Sequence, residues 1–515
     1  MARKEIKKLI EKAVSDLYEK PVEVTVDRPQ DPVFGDYSTN VALMLKKNPQ
    51  EIAGAIKNKV FFEKIEVRNG FVNFFISKEY LQKQVGKVLE EDSGFGRLRI
   101  GKEQKVNVEF ISANPTGPLT LGNGRGGFCG DVLANVLSAA GFKVKREYYI
   151  NDTGEQVRKL GHSVLGDSQA VYRGDYIEDL RKKIKGESAE KIGQKAAGII
   201  LREMIKPTIK KMKINFDVWF SEKDLYRGKE TEKVLALLER KGLSYEKEGA
   251  VWFKSSEFGD DKDRVLIKAD GESTYFLSDI AYLKNKFKRG FKTLFFFWGA
   301  DHFGYINRMK AAAQALGFDK ENIRIVIMQL VRLVQQGKEV KMSKRTGTYV
   351  TLDELMDEAG LDAARFFFLA RSPDTHLNFD LDLAKEQSEK NPVYYIQYAH
   401  ARICSILRKL KIKNSNPKTT AQGLKSLSHP SELNLMKELI RFPEIIEDTA
   451  KDYQVQRLPQ YAVETATAFH RFYRDCRVIS DDKELSRVRL SLVLAAKIVL
   501  KNTLDLMGIS APEKM

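Results

Sequence analysis

The segment 106–150 constrains the fold more than any other. Val106–Ile111 is a short run of strand-forming residues, and a Pro- and Gly-rich stretch, Asn114–Gly127, follows it. Cys129–Ala140 then has a helical pattern closed by Gly141, and Lys143–Ile150 reads as the next strand. Strand, loop, helix, strand is a βαβ unit, which makes the two strands parallel and sets the class of the surrounding domain as α/β. Ala250–Lys254, Val265–Lys268, Thr293–Trp298 and Ile323–Ile327 are the later strand candidates, and the mostly helical Leu160–Ile214 reads as an insertion.

Different patterns flank this centre. Residues 1–92 read as a small α+β domain: a helix at Glu5–Leu17, an alternating strand at Pro21–Asp27, an apolar helix at Thr39–Leu45, and strand, Asn69–Gly70 turn, strand across Ile65–Phe75. A glycine-rich, charged stretch, Asp92–Gly101, serves as linker. From 386 to 515 the pattern is helical, with long apolar-periodic stretches at Pro392–Leu410, Glu432–Ile446, Gln460–Cys476 and Leu485–Leu506, which suits a bundle. The expected domains are therefore 1–92, 93–385 and 386–515.

Charge narrows the partners. Lys and Arg number 87 against 70 Asp and Glu, a net +17 that favours a polyanion, although a solvated Lys-rich surface would give the same count. The three cysteines, Cys129, Cys404 and Cys476, have no CxxC spacing, so neither a disulfide framework nor a zinc site is expected. No apolar stretch is long enough to span a membrane and the first residues lack an apolar leader core, so a reducing cytoplasm is the expected location.

Two segments could carry chemistry. The first runs from Ser112 to Gly127 and delivers glycines to a helix N-terminus, where free N–H groups and the helix dipole favour phosphate. It lacks the Gly-Lys-Ser/Thr of a Walker A loop. Gly122-x-Gly124-x-x-Gly127, with Glu147 about 20 residues on, matches a dinucleotide pattern, but that pattern starts directly after its strand and this one does not. The second is Lys341–Met342–Ser343–Lys344, after a turn at Gln336–Gly337–Lys338 and before a Thr351/Glu354 capping box. Two lysines three apart can bracket a triphosphate and neutralise departing pyrophosphate.

Together the two segments resemble the HIGH and KMSK signatures of class I aminoacyl-tRNA synthetases. Pro118–Leu119–Thr120–Leu121–Gly122–Asn123 stands where that class has HIGH. The wider set resembles the arginyl-tRNA synthetase family nearly end to end: Val108–Glu109–Phe110 through Asn114–Pro115–Thr116–Gly117–Pro118, Tyr149–Ile150–Asn151–Asp152–Thr153–Gly154, Tyr275 with Asp279, Trp298–Gly299–Ala300–Asp301–His302, and the terminal Gly508–Met515. Asp31–Pro32, Gly35–Asp36–Tyr37 and Thr39–Asn40 resemble that family's N-terminal tRNA-contacting domain. The resemblance implies a Rossmann-like class I catalytic domain, a small N-terminal α+β domain and a C-terminal all-α anticodon-binding bundle.

It also implies roles. Arginine would be activated by ATP to arginyl-adenylate and then transferred to tRNA(Arg), with Mg²⁺ carried in by ATP and the chain acting as a monomer. Thr120, Asn123, Lys341 and Lys344 would serve catalysis, and Gly122, Gly124, Met342 and Ser343 would meet ATP. Tyr275 and Asp279, Asn114, Glu109 and His302 would hold arginine. Tyr395, Tyr398 and Met515 would approach tRNA, with His400 and Arg402 on the same helix. Apart from the resemblance, Arg471, Arg474 and Arg477 at spacing three share one helix face, which could meet phosphate or simply face solvent. One departure stands out: both HIGH histidines are replaced, by Thr120 and Asn123, which donate hydrogen bonds but carry no charge. A catalytically inactive RNA-binding relative and a dinucleotide-dependent oxidoreductase are the competing readings.

Overall fold

The computed structural model describes every residue except 20, 57–59, 187, 341–349 and 410–425. Lys341, Met342, Ser343 and Lys344 therefore lie outside the described residues.

The N-terminal region forms a three-stranded antiparallel sheet in the order β1-β3-β2, from β1 (Tyr37–Thr39), β2 (Phe62–Arg68) and β3 (Phe71–Ile76). The hairpin turns at Asn69 and Gly70, both at positive φ (53° and 81°), the two-residue geometry that matches strand twist. Pro21–Asp27 differs from expectation. Its alternation is real, since Val24 and Val26 are buried, but only Asp27 pairs, in a single bridge to Ser38.

The central sheet has five parallel strands: β4 (Lys105–Glu109), β5 (Lys143–Ile150), β6 (Val218–Ser221), β10 (Thr293–Gly299) and β11 (Ile323–Met328), in the order β11-β10-β4-β5-β6. The chain runs outward from β4 through β5 to β6, then returns to the other side of β4 for β10 and β11. This reversal leaves a crevice beyond the carboxyl ends of β4 and β10, where open α/β sheets bind ligands. The β10 sequence Thr-Leu-Phe-Phe-Phe-Trp-Gly is a near-continuous apolar run because helices cover both sheet faces.

Two expected strands leave this sheet. β8 (Ala250–Phe253) and β9 (Arg264–Ile267) join β7 (Ser244–Lys247) in a separate antiparallel sheet. The Glu248–Gly249 turn, with φ of 54° and 72°, folds β8 straight back on β7. A further three-stranded sheet, β13-β12-β14, holds β12 (Val331–Gln335), β13 (Lys338–Glu339) and β14 (Leu377–Asp380). The expected 160–214 insertion is helical in fact, with helices from Glu155–Leu165 to Lys206–Lys211.

The C-terminal region is a helical bundle of Pro392–Lys409, Pro430–Ile440, Phe442–Asp452, Arg457–Asp475 and Lys483–Met507. The expected single helix over 432–446 is two helices meeting at Arg441, because Pro443 lacks the N–H needed to continue the first. The N-terminal domain docks on this bundle by packing its Lys78–Glu91 helix against Pro430–Ile440 and Lys483–Met507, and through polar contacts. Arg3 grips Asp448 with two bonds of 2.7 and 2.6 Å, Tyr37 Oη donates to Glu444 at 3.0 Å, and Lys437 pairs with Asp36 at 2.7 Å.

Candidate active site

The crevice begins where β4 ends. Ile111 and Ser112 follow the strand at φ of 67° and 36°. Positive φ is strained for a β-branched residue, and such strain collects at ligand sites. Here it turns the chain sharply, so that Ser112 Oγ donates to Glu109 Oε1 at 3.2 Å and accepts from the Tyr149 N–H at 3.0 Å. Asn114 emerges from this turn with its side chain exposed.

Carboxylates crowd the same end of the sheet. Asp279 lies one helical turn after Tyr275 on the Tyr275–Lys288 helix, so the two share a face. Tyr305 Oη donates to Asp279 Oδ2 at 2.5 Å. Burial, with Glu109 adding repulsion, pushes the Asp279 carboxyl up to about 7, although Tyr305 and Arg308 pull the other way. Glu222 follows β6 directly and is only 2% exposed. Burial pushes its carboxyl up to about 8, with Asp279 and Asp152 adding to the shift. The Asn151 amide, oriented to satisfy both partners, donates to Glu222 Oε2 and to the Thr153 carbonyl, each at 2.9 Å. Asp152 accepts from Ser221 Oγ at 2.7 Å. Tyr275, 48% exposed, reaches across to accept the Glu155 N–H at 3.1 Å. The result is a cluster of acids neighboured by Tyr149, Tyr226, Tyr275 and Tyr305, whose charge and flat rings would suit a cationic, planar group.

Beneath it lies a buried polar network. Lys286 is fully buried, and its Nζ donates to Asn107 Oδ1 at 2.5 Å and Glu109 Oε2 at 2.6 Å. Glu147 accepts both arms of Arg289 at 2.7 and 2.8 Å and the Tyr282 hydroxyl at 2.5 Å. Burial opposes ionisation of Glu147, yet Lys286 and Arg289 hold its carboxyl down near about 2. Glu147 therefore serves this network; the dinucleotide pattern needs it on a ribose.

On the phosphate side, the expected loop over 112–127 is shorter than the sequence suggests. The helix starts at Leu121 and runs to Ala139, so Gly122, Gly124, Gly126 and Gly127 lie inside it. Gly122 is exposed in the first turn, but Gly124 is buried, and a Cβ there would come within 2.6 Å of Leu352 Cδ1. Gly124, expected beside ATP, is here buried and permits close packing against the helix that follows the lysine segment. Thr120 and Asn123 form a reciprocal cap, in which the Thr120 N–H and hydroxyl donate to Asn123 Oδ1 at 3.0 and 2.9 Å. The Thr120 hydroxyl is thus engaged, and among the described residues the Asn123 NH₂ has no hydrogen-bond partner. A bridge from Thr120 to Thr351, with the Leu352 N–H on the Leu119 carbonyl at 3.0 Å, joins this helix start to the Leu352–Ala359 helix. The Thr351/Glu354 capping box is present.

Glu109, Tyr275 and Asp279 are thus brought together. His302 is not joined to them: it sits after β10, exposed, 3.5 Å from Asp301, with no hydrogen bond to Glu109, Asp279 or Glu222. Glu222 and Tyr305 escaped the sequence reading. Glu222 follows a four-residue strand too short to register, and its one signal was an acid at a strand's carboxyl end.

Residues 4–76 match the family described as Arginyl tRNA synthetase N terminal domain, 84–167 and 176–380 the tRNA synthetases class I (R) catalytic domain, and 396–515 the DALR anticodon binding domain. An arginine–tRNA ligase of Carboxydothermus hydrogenoformans is 45% identical, the match covering 95% of this chain and 94% of that protein. One from Bacillus subtilis is 44% identical over 96% of this chain and 94% of its own length. The chain belongs to the arginyl-tRNA synthetase family. A solved Thermus thermophilus arginyl-tRNA synthetase shares the fold, with a TM-score of 0.81 over 100% of each chain at 23% identity.

In this arginyl-tRNA synthetase family member, a second concave surface lies at the end of the bundle. A cavity of about 1030 Å³ is lined by Tyr398, Arg402, Tyr473, Arg474, Arg477 and Met515 among others. The Arg402 guanidinium lies 5.2 Å from the Tyr398 ring centre and 5.3 Å from that of Tyr473. Arg471 is exposed but does not line this cavity, and Arg477 lies past the helix end at Asp475. Tyr395 turns inward, its ring 4.8 Å from His470. His400 is buried, with Nδ1 2.8 Å from the Pro512 carbonyl, and so anchors the C-terminal tail.

Proposed function

We propose that the chain activates L-arginine with ATP and transfers it to tRNA(Arg). The observation that carries this reading is the tyrosine-flanked cluster of Asp279 and Glu222 at the sheet's switch point, inside a chain of this family. In the first step an arginine carboxylate oxygen attacks the α-phosphorus of ATP, and the bond to pyrophosphate breaks. In the second, the terminal ribose hydroxyl of tRNA attacks the activated carbonyl, and AMP departs with the bonding electrons. Both steps need positioning and charge stabilisation more than an acid or base.

Asp279 and Glu222 receive the guanidinium, with Tyr275 over it, and Glu109 and Asn114 take the α-amino end. Gly122 and the Asn123 amide face the nucleotide, and Lys341, Lys344, Ser343 and Met342 close on its phosphates with Mg²⁺ carried by ATP. Among the described residues no group of His, Cys, Asp or Glu forms a metal site and no helix is long and apolar enough to cross a membrane. The reading carries a monomer at work in a reducing cytoplasm, in agreement with three buried free thiols. Splayed anticodon bases would stack on the Tyr398, Arg402 and Tyr473 surface, beside Met515, while the inward Tyr395 supports the helix from behind. The domains divide at 92 and 385.

The test is ATP–pyrophosphate exchange with arginine, with and without tRNA(Arg), beside a lysine control. Exchange with arginine alone among the amino acids supports the reading and shows that Thr120 and Asn123 suffice. Tight tRNA binding without exchange in either condition would make the chain an inactive RNA-binding relative.

A further inference from the structure

We infer that Lys286 is a positioning residue for arginine, acting through Glu109. The inference rests on the arginine-activating reading above. Lys286 lies on the helix that carries Tyr275 and Asp279, about three and two turns further along respectively, and its ammonium is removed from solvent. A buried ammonium is costly unless every proton is matched. Here the matches are Asn107 Oδ1 at 2.5 Å, Glu109 Oε2 at 2.6 Å and, more distantly, Glu147 Oε1 at 3.5 Å. The ammonium also lies 4.5 Å and 4.7 Å from the ring centres of Tyr282 and Phe296. Glu147 is already satisfied by Arg289. Glu109 has no other cation among the described ion pairs.

The geometry makes this more than a core ion pair. Glu109 is the last residue of β4 and stands at the crevice, 8% exposed. Ser112 Oγ holds its other oxygen at 3.2 Å, from a turn strained at positive φ. A carboxylate offers about four lone-pair directions, so two bonds from below leave capacity toward a ligand. Lys286 thereby ties the strand-borne acid to the helix that bears Asp279, fixing the spacing between the two ends of the bound amino acid. It also balances the charge of Glu109, so that repulsion from Asp279 does not drive the carboxylate aside.

The experiment is a double-mutant cycle of Lys286→Gln and Glu109→Gln, reading exchange kinetics and thermal melting on the full chain with wild type in parallel. Lys286→Gln should raise the KM for arginine roughly tenfold with the KM for ATP within about twofold. In the Glu109→Gln background the same change should leave the arginine KM where Glu109→Gln alone put it. An unchanged arginine KM in Lys286→Gln, or equal losses for arginine and ATP, would overturn the inference. If Lys286→Gln alone does not fold, the double variant, which removes both charges, is compared with Glu109→Gln: a further rise in arginine KM at equal melting temperature sinks the idea, and no rise sustains it. Failure of wild type to exchange with arginine would instead reject the functional reading.

Discussion

Tyr305 Oη donates to Asp279 Oδ2 at 2.5 Å, holding from the β10 side the carboxylate that the Tyr275–Lys288 helix presents to the acid cluster. The bond leaves one oxygen edge of Asp279 for a ligand and fixes the plane in which a guanidinium would lie. Tyr305→Phe removes that restraint while keeping the ring beside Phe276 and Trp298. A hydrogen bond to a charged group contributes about 1.5–3 kcal/mol, so the KM for arginine should rise roughly tenfold or more. Steady-state exchange at varied arginine and fixed ATP checks this; an equal rise in the KM for ATP would speak against the placement.

Glu222→Gln should be as costly. The amide keeps the shape and the contact with Asn151 but cannot accept two parallel guanidinium bonds with full charge. The expected loss is about 2–3 kcal/mol of arginine binding, seen as a rise in KM for arginine with kcat for the exchange less affected. Competition by lysine should strengthen relative to arginine, since a point ammonium needs the bidentate geometry less.

The pH dependence has a definite sign. Glu222 and Asp279 are pushed up to about 8 and about 7 in the free protein, chiefly by burial. A guanidinium requires both ionised, so the KM for arginine should fall as pH rises from about 6 to 9, and binding near pH 7 should release protons. Both folded values lie above the unfolded ones, near 4 for carboxyls. Their contribution to stability is therefore complete below about pH 4 and lost as pH climbs through about 7 and 8. Melting with and without saturating arginine should show the free protein losing stability over that window and the arginine-bound protein losing less. Calorimetry in buffers of different ionisation enthalpy measures the released protons directly.

The Thr120–Asn123 cap should behave as one unit. Thr120→Ala removes the hydroxyl bond to Asn123 Oδ1 and keeps the Thr120 N–H bond, whereas Asn123→Ala removes both; each should cost about 1 kcal/mol of stability. The double variant should cost little more than Asn123→Ala, because the hydroxyl bond is common to both changes. Chemical denaturation of the three variants tests it, and additive losses would show that the two residues act separately.

Arg365 is a structural joint. It is 1% exposed and donates to Asp131 at 3.0 Å, to the Met507 carbonyl at 2.9 Å and to the Met212 carbonyl at 2.8 Å. Those partners belong to the first helix of the catalytic domain, the C-terminal helix and the end of the insertion. Arg365→Met leaves Asp131 with Arg146 as its remaining cation. The expected cost is about 3–5 kcal/mol, readable as a large fall in melting temperature.

The sequence disclosed the βαβ unit because hydrophobic period and turn residues agree over 106–150, and it disclosed Asp279 and Tyr275 through helical spacing. It hid what long-range packing decides. Glu222 ends a strand of four residues whose burial depends on β5. Tyr305 meets Asp279 across 26 residues. The sheet membership of β8 and β9 turned on a two-residue hairpin rather than on their apolar content. Gly124 looked like a phosphate contact because local pattern cannot reveal Leu352, which arrives from more than two hundred residues away.

The joint between the first and last domains has a consequence for how the chain is made. Tyr37 and Glu444 are 407 residues apart. At about 5–20 residues per second, a ribosome takes roughly 20–80 s between them. For that interval the N-terminal domain waits with its docking face uncovered. Part of that face is the Lys78–Glu91 helix, which packs on the Pro430–Ile440 and Lys483–Met507 helices and whose Leu81, Val85, Val88 and Leu89 are buried in the folded chain, so apolar surface open to aggregation is left bare meanwhile. Arg3, Asp36 and Tyr37 meet Asp448, Lys437 and Glu444 through charges and a hydroxyl, groups that water satisfies while their partners are still unmade.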